Sequence, residues 1–296
     1  MNMLIDLTKR NIKLYLRDKS TVFFSLLSSI IIIALFILFL GRVYIDNTMS
    51  MMSDFGEVDK DSIQALIFSW ILAGIIILNS ISIPQMMLSR IVLDKEANIT
   101  NDFYVIPFKR SILGLSYIAS AIIVGTIITY ISFIIGEAYI YMLSGQLFSI
   151  YTHLLVLLII ILSTTCFSSL MFLIYLFVKT SSTIGGLTAF TSSVGGFLAG
   201  IYISIGGLKG LTKDIISSNP LAHATALVRD TLMSSQIDTI FQEVPSETVK
   251  GFSDGMGINL YIGSMQLTNV HYVIGLLTVT LVCFGFSYLK LKNEKM

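Results

Sequence analysis

The sequence predicts an all-α integral membrane protein with six transmembrane helices, an amphipathic interfacial helix before the first of them, and both termini on the cytoplasmic side. Three observations lead there. Apolar residues fill 54% of the 296 positions and charged residues only 12%, whereas soluble domains carry about 25% charge. Charge-free stretches near the roughly 20 helical residues needed to cross a hydrocarbon core recur along the chain. Lys and Arg are divided unevenly among the segments between those stretches.

The predicted spans are 22–41, 63–89, 112–136, 154–178, 183–206 and 272–289, with a turn at Ser144-Gly145-Gln146 inside the charge-free stretch 138–178. With the N-terminus inside, the inner segments hold 13 basic and 6 acidic residues, and the outer ones 6 basic and 12 acidic. An excess of Lys and Arg marks cytoplasmic segments. The whole of 1–296 therefore reads as one transmembrane domain, with an interfacial helix at 1–20, a cytoplasmic segment at 90–111 and an extracellular region at 207–271 whose short helices are external or re-entrant. No small-residue cleavage site follows the polar first twenty residues, so no cleaved signal peptide is expected.

Several function classes find no support. Net charge is +1, so nothing indicates nucleic acid as a partner. No G-x-x-x-x-G-K-[ST] occurs, and Gly206-Gly207-Leu208-Lys209-Gly210 lacks the spacing that cradles phosphates. His153, His223 and His271 are scattered, without metal-ligand spacing. Cys166 and Cys283 sit in apolar runs, where a thiol behaves as a small hydrophobe. No predicted span contains Asp, Glu, Lys or Arg, unlike the buried charges that ion-coupled transporters place at mid-membrane. Glu137 comes nearest, at the end of the third span beside Tyr130, Tyr139 and Tyr141, as an interfacial carboxylate or an outward gate.

Four segments could carry function. On the first, Leu4, Leu7, Leu14 and Tyr15 share one helical face while Lys9, Lys13 and Arg17 form a basic stripe on another. That pattern suits a helix lying on the inner leaflet, or a simple orientation signal. The second, Arg90 to Arg110, interleaves Asp94, Lys95, Glu96 and Asp102 with the aromatics Phe103, Tyr104 and Phe108. It reads as a docking surface for a cytoplasmic partner or as a solvated loop. In the fifth span Thr188, Ser192, Gly196 and Gly200 recur every four residues, a smooth ridge for close helix packing, a subunit interface or a transport path. Beyond it, Asn219-Pro220 starts a helix that carries Arg229, with Asn as N-cap and Pro at the first helical position.

This order of parts resembles the membrane subunit of ABC exporters of the ABC-2 type. Two local motifs carry the resemblance. Asp94-Lys95-Glu96 fits the acidic-basic-acidic cluster of the family's inner loop, and Pro107 with Arg110 fits its ending; Asn98-Ile99-Thr100 departs from the usual Gly-Thr, and Ile106 from the usual Thr. Asn219-Pro220-Leu221 followed by Arg229 resembles the stretch before the last span. The resemblance implies a permease without ATPase chemistry, paired with a second permease subunit and docked on two cytoplasmic ABC ATPase subunits that bind ATP and magnesium. No cofactor would be bound by this chain itself. It further implies export of a hydrophobic or amphipathic molecule across a plasma membrane, and the Ile-rich, Pro-poor composition suggests a bacterial one. An ion-coupled secondary transporter or a polytopic assembly factor is the alternative.

Overall fold

The structure, a computed structural model, describes residues 2–35, 38, 41–53, 55, 59–99, 110–202, 204–208 and 210–293. Among them the chain is almost wholly helical: α1 (Asn2–Arg17), α2 (Lys19–Leu35), α3 (Gly41–Met52), α4 (Lys60–Leu88), α5 (Arg90–Glu96), α6 (Arg110–Ser144), α7 (Ile150–Tyr175), α8 (Ser181–Leu198), α9 (Gly210–Ser217), α10 (Pro220–Ile240), α11 (Ser246–Gly255) and α12 (Asn269–Asn293). A two-residue hairpin, Tyr261–Ile262 against Met265–Gln266, precedes α12.

Four helices among the described residues are long and apolar enough to cross a membrane: Lys60–Glu96, Ser111–Ser144, Ile150–Tyr175 and Asn269–Lys292. They correspond to the second, third, fourth and sixth predicted spans. The first and fifth are also helical, but α2 is described over 17 residues and α8 over 18, and Gly, Ser and Thr dilute the apolar character of α8. The third overshoots its expected end and runs through Glu137 to Ser144, because nothing breaks the helix before Gly145, which takes φ 66°. The turn expected at 144–146 is there.

α4 is the centre. It is apolar on every side, and such a helix is stable only when wrapped by others; accordingly 94% of its most apolar stretch is buried, against 28% for α12. Asp59 caps it by accepting from Ser62 N at 2.9 Å. α6, α7 and α10 pack around it. At the other extreme of the chain, α1 lays its Leu7, Thr8, Asn11 and Tyr15 face on α6 and not on lipid alone, while Lys9, Lys13 and Arg17 stay exposed. Tyr15 donates to Ser25 Oγ at 3.0 Å, joining α1 to α2; burial raises its phenol above the ordinary value, so it remains a neutral donor.

The stretch between α8 and α12 does not stand clear of the bundle. α10 is buried for most of its length between α4, α7 and α12, along the Lys60 half of α4, with Gln236 donating to Ser69 at 2.9 Å. Its start is as expected: Asn219 Oδ1 accepts from Leu221 N at 2.9 Å and Pro220 occupies the first turn. The chain reaches α9 through a 3₁₀ turn, Ile205–Gly207, pressed onto the start of the Gly255 loop, where Ser204 donates to Gly255 O.

A Cβ on Gly206 would collide with backbone atoms of Asp254 and Gly255, whereas one on Gly207 would meet open space. Gly206→Ala is therefore expected to lower the melting temperature in detergent, at a cost of about 1–3 kcal/mol, and Gly207→Ala to leave it nearly unchanged. Thermal unfolding of the two variants side by side checks this, and equal behaviour would refute the packing described.

Candidate functional site

Polar chemistry gathers at the two ends of α4. At its Leu88 end, the helix passes through Ser89 into α5, and this short helix places Asp94 inward so that none of it is exposed. A carboxylate taken out of water needs cations and donors around it. Asp94 Oδ2 accepts from Arg10 Nη2 of α1 at 3.0 Å and from Tyr117 Oη of α6 at 2.6 Å, while Arg90 Nε stands 2.8 Å from Oδ1. Arg10 also donates to Asn11, which reaches Ser116 of α6 at 3.5 Å. One buried carboxylate thus joins α1, α5 and α6.

Glu96, two residues on, is exposed and faces another helix. Its Oε1 accepts from Ser181 N at 2.6 Å, the first backbone N–H of α8, which carries the positive end of the helix dipole. Lys95 between the two carboxylates is half-buried. α5 then stops at Asn98, which takes a left-handed φ of 57° and donates its N–H to Lys95 O at 3.1 Å. Asparagine is the usual substitute for glycine in that conformation. The departure from Gly at this place in the sequence is therefore conformationally conservative.

Asp94, expected in a docking surface, is fully buried here with three partners, so its carboxylate faces the bundle. Glu96 and Lys95 remain accessible. Asp102, Phe103, Tyr104, Ile106 and Pro107 lie outside the described residues, and so does the side chain of Arg110.

Toward the Lys60 end of α4, the second buried charge is Arg229 of α10, with no exposure at all. It closes the end of α8. That helix finishes in a Schellman turn, with Ile201 N bonded to Gly196 O at 2.9 Å, Gly200 N to Phe197 O at 3.0 Å, and Gly200 at φ 65°. Arg229 Nη2 donates to the Gly200 carbonyl at 2.8 Å and lies 3.5 Å from that of Ala199, at the negative end of the helix. Its guanidinium stacks 4.7 Å over the Trp70 ring, and Trp70 Nε1 donates to Met256 O at 2.7 Å. The sequence placed Arg229 on an external helix and missed this clasp; the only local hint was its short distance from a capped helix start.

The predicted four-residue ridge on α8 is only partly real. Ser192 is exposed, Gly196 is covered by the Tyr202 ring, and Gly200 lies past the helix end in the turn just described. Glu137 is buried as well: its Oε1 accepts from Phe148 N at 2.9 Å and sits 3.0 Å from His153 Nε2, whose other nitrogen is 3.2 Å from Tyr130 Oη. It pins the 145–149 turn to α6, a structural task. Cys166 and Cys283 are both free and buried.

Long apolar helices around a central one, with buried ion pairs tying them at one end, define a polytopic helical membrane protein. The family model for the ABC-2 type transporter matches residues 4–233, and the chain belongs to that family: it is an ABC-2 type permease subunit, a transmembrane transport domain and not a P-loop ATPase. None of the curated proteins compared with it matches.

Asp94→Ala is expected to destabilise the protein by about 3–5 kcal/mol, the cost of stranding buried partners, and Asp94→Asn by less because the amide oxygen still accepts from Arg10 and Tyr117. Arg229→Met is expected to cost about 1.5–3 kcal/mol for the lost charge-assisted bond, with Arg229→Lys failing to restore it because an ammonium does not stack and bond at once in the guanidinium's plane. Thermal unfolding in detergent measures both series.

Proposed function

We propose that this permease subunit serves an ATP-driven exporter, pairing with a second permease subunit and taking its free energy from two separate cytoplasmic ABC ATPase subunits that bind ATP and magnesium. The observation that carries the reading is the α5 segment. Its two carboxylates engage different helices, Asp94 those at the front of the chain (α1, α6) and Glu96 the start of α8. A push on this segment from a cytoplasmic partner would therefore be felt in three helices at once, and a partner that binds it differently in two states shifts the equilibrium between them.

In this reading α2 and α8 complete a set of six spans, both termini are cytoplasmic, and α9 to α11 form re-entrant and external helices on the outer side of a bacterial plasma membrane. Lys9, Lys13 and Arg17 lie among inner-leaflet headgroups. α8 leaves Thr183, Gly185, Thr188, Ser192 and Ser193 exposed along with Phe190 and Phe197, a more mixed face than that of α12, which exposes Leu277, Leu281, Phe286 and Leu289. Lipid contact suits the second set, and close contact with a second subunit or a path for cargo suits the first. A path of small hydroxyl-bearing and apolar residues favours a hydrophobic or amphipathic cargo such as a drug, antibiotic, toxin, lipid or lipopeptide.

Purification in mild detergent is expected to bring a P-loop ATPase with the permease. Glu96→Ala should leave that complex assembled and reduce coupled transport about tenfold, the worth of one charge-assisted bond. Transport that runs on an ion gradient without ATP would replace this reading by a secondary transporter. A chain found with neither an ATPase nor any transport would be an assembly factor.

A further inference from the structure

At the end of the bundle where α7 begins, α7, α10 and α12 leave an open groove of about 700 Å3 between them, within the range of about 300–1,000 Å3 of small-molecule sites. All three helices change character in the same direction along it. Toward the bundle centre the walls are Leu158, Leu162 and Val273; toward the end they are Asp230, Ser234 and Asn269. The groove is thus apolar along its depth and polar at its mouth.

Its polar end carries a carboxylate among hydroxyls and an amide, with no basic side chain among the described lining residues. Asp230 is half-buried, and its carboxylate is held in place by Ser234 Oγ at 3.1 Å and Asn269 Nδ2 at 2.8 Å. A smaller recess of about 320 Å3 adjoins the groove and shares Ser149, Thr152 and Ser235 with it. Gln236 lines that recess; its Nε2 is used on Ser69, and its buried Oε1 has no partner among the described residues. No Lys, Arg or His lines either space among the described residues. A fixed, half-buried carboxylate with no basic side chain beside it in the groove suits a cation that can donate N–H groups, which a primary ammonium supplies.

We propose that this groove binds a membrane phospholipid with a primary-ammonium head, of the phosphatidylethanolamine kind, its ammonium at Asp230 and an acyl chain along Leu158, Leu162 and Val273. A choline head carries the charge without an N–H to donate. A glycerol head brings hydroxyls without a cation, so its lipid approaches Asp230 with net negative charge. The inference rests on residence in the membrane alone, and not on the direction or energy source of transport.

Native mass spectrometry of the full-length permease, offered ethanolamine, choline and glycerol phospholipids with identical acyl chains, tests it. The ethanolamine lipid is expected to be retained about tenfold better than the other two, as one charge-assisted hydrogen bond implies. Asp230→Asn should abolish that preference while leaving acyl-driven binding. Leu158→Trp, at a wall position 61% exposed and hence safe for folding, should reduce all three adducts. Equal retention of the three heads, a preference that survives Asp230→Asn, or adducts undiminished by Leu158→Trp, overturns the proposal.

Discussion

The rest of the molecule is arranged around the dehydration of α4. A helix with no polar face cannot rest against water, and in a bilayer it gains nothing from lipid that another helix could not supply through packing. Its neighbours are accordingly brought close: Gly136 of α6 accommodates Leu72, and Gly74 of α4 itself accommodates Ile201. The few hydroxyls inside it are satisfied within the helix, Ser69 donating to Ala65 O and Ser80 to Ile76 O, each at 2.9 Å. Pro84, which removes one ladder bond, sits where Gly125 lets α6 approach, in keeping with the tolerance of transmembrane helices for proline when neighbours cover the defect.

Two of the buried charged side chains, Asp94 and Arg229, are handled by different chemistry. Asp94 is met by two guanidinium groups and a phenol; Arg229 is met by carbonyl oxygens and an indole face. Apart from Arg90, which is four residues from Asp94 on the same helix, the partners come from far along the chain, and their bonds close loops between segments that local structure would leave independent. The ionic side chains at these positions act as cross-links between helices.

Much of the architecture was legible from residues taken in order. Long apolar runs marked the four spanning helices, the Ser144-Gly145-Gln146 turn marked the break between α6 and α7, and Asn219-Pro220 marked the start of α10. These are local properties, written within a few residues of where they act. The burial of Asp94 and Arg229 was not legible, because it depends on partners 84 and 29 to 30 positions away, and Arg229 beside Asp230 looks from sequence like an exposed pair. Nor was the early end of α8: the four-residue spacing continues to Gly200, while the backbone has already turned left-handed there.

Asp94 and Glu96 are two residues apart on one short helix, and at 100° per residue their side chains leave its axis about 200° apart. They consequently grip neighbours on nearly opposite sides, α1 and α6 on one and α8 on the other. If α5 turns about its own axis, one grip advances as the other retreats. The segment is a two-sided clasp, and through it the front of the chain and the start of α8 are both fastened to the same end of α4.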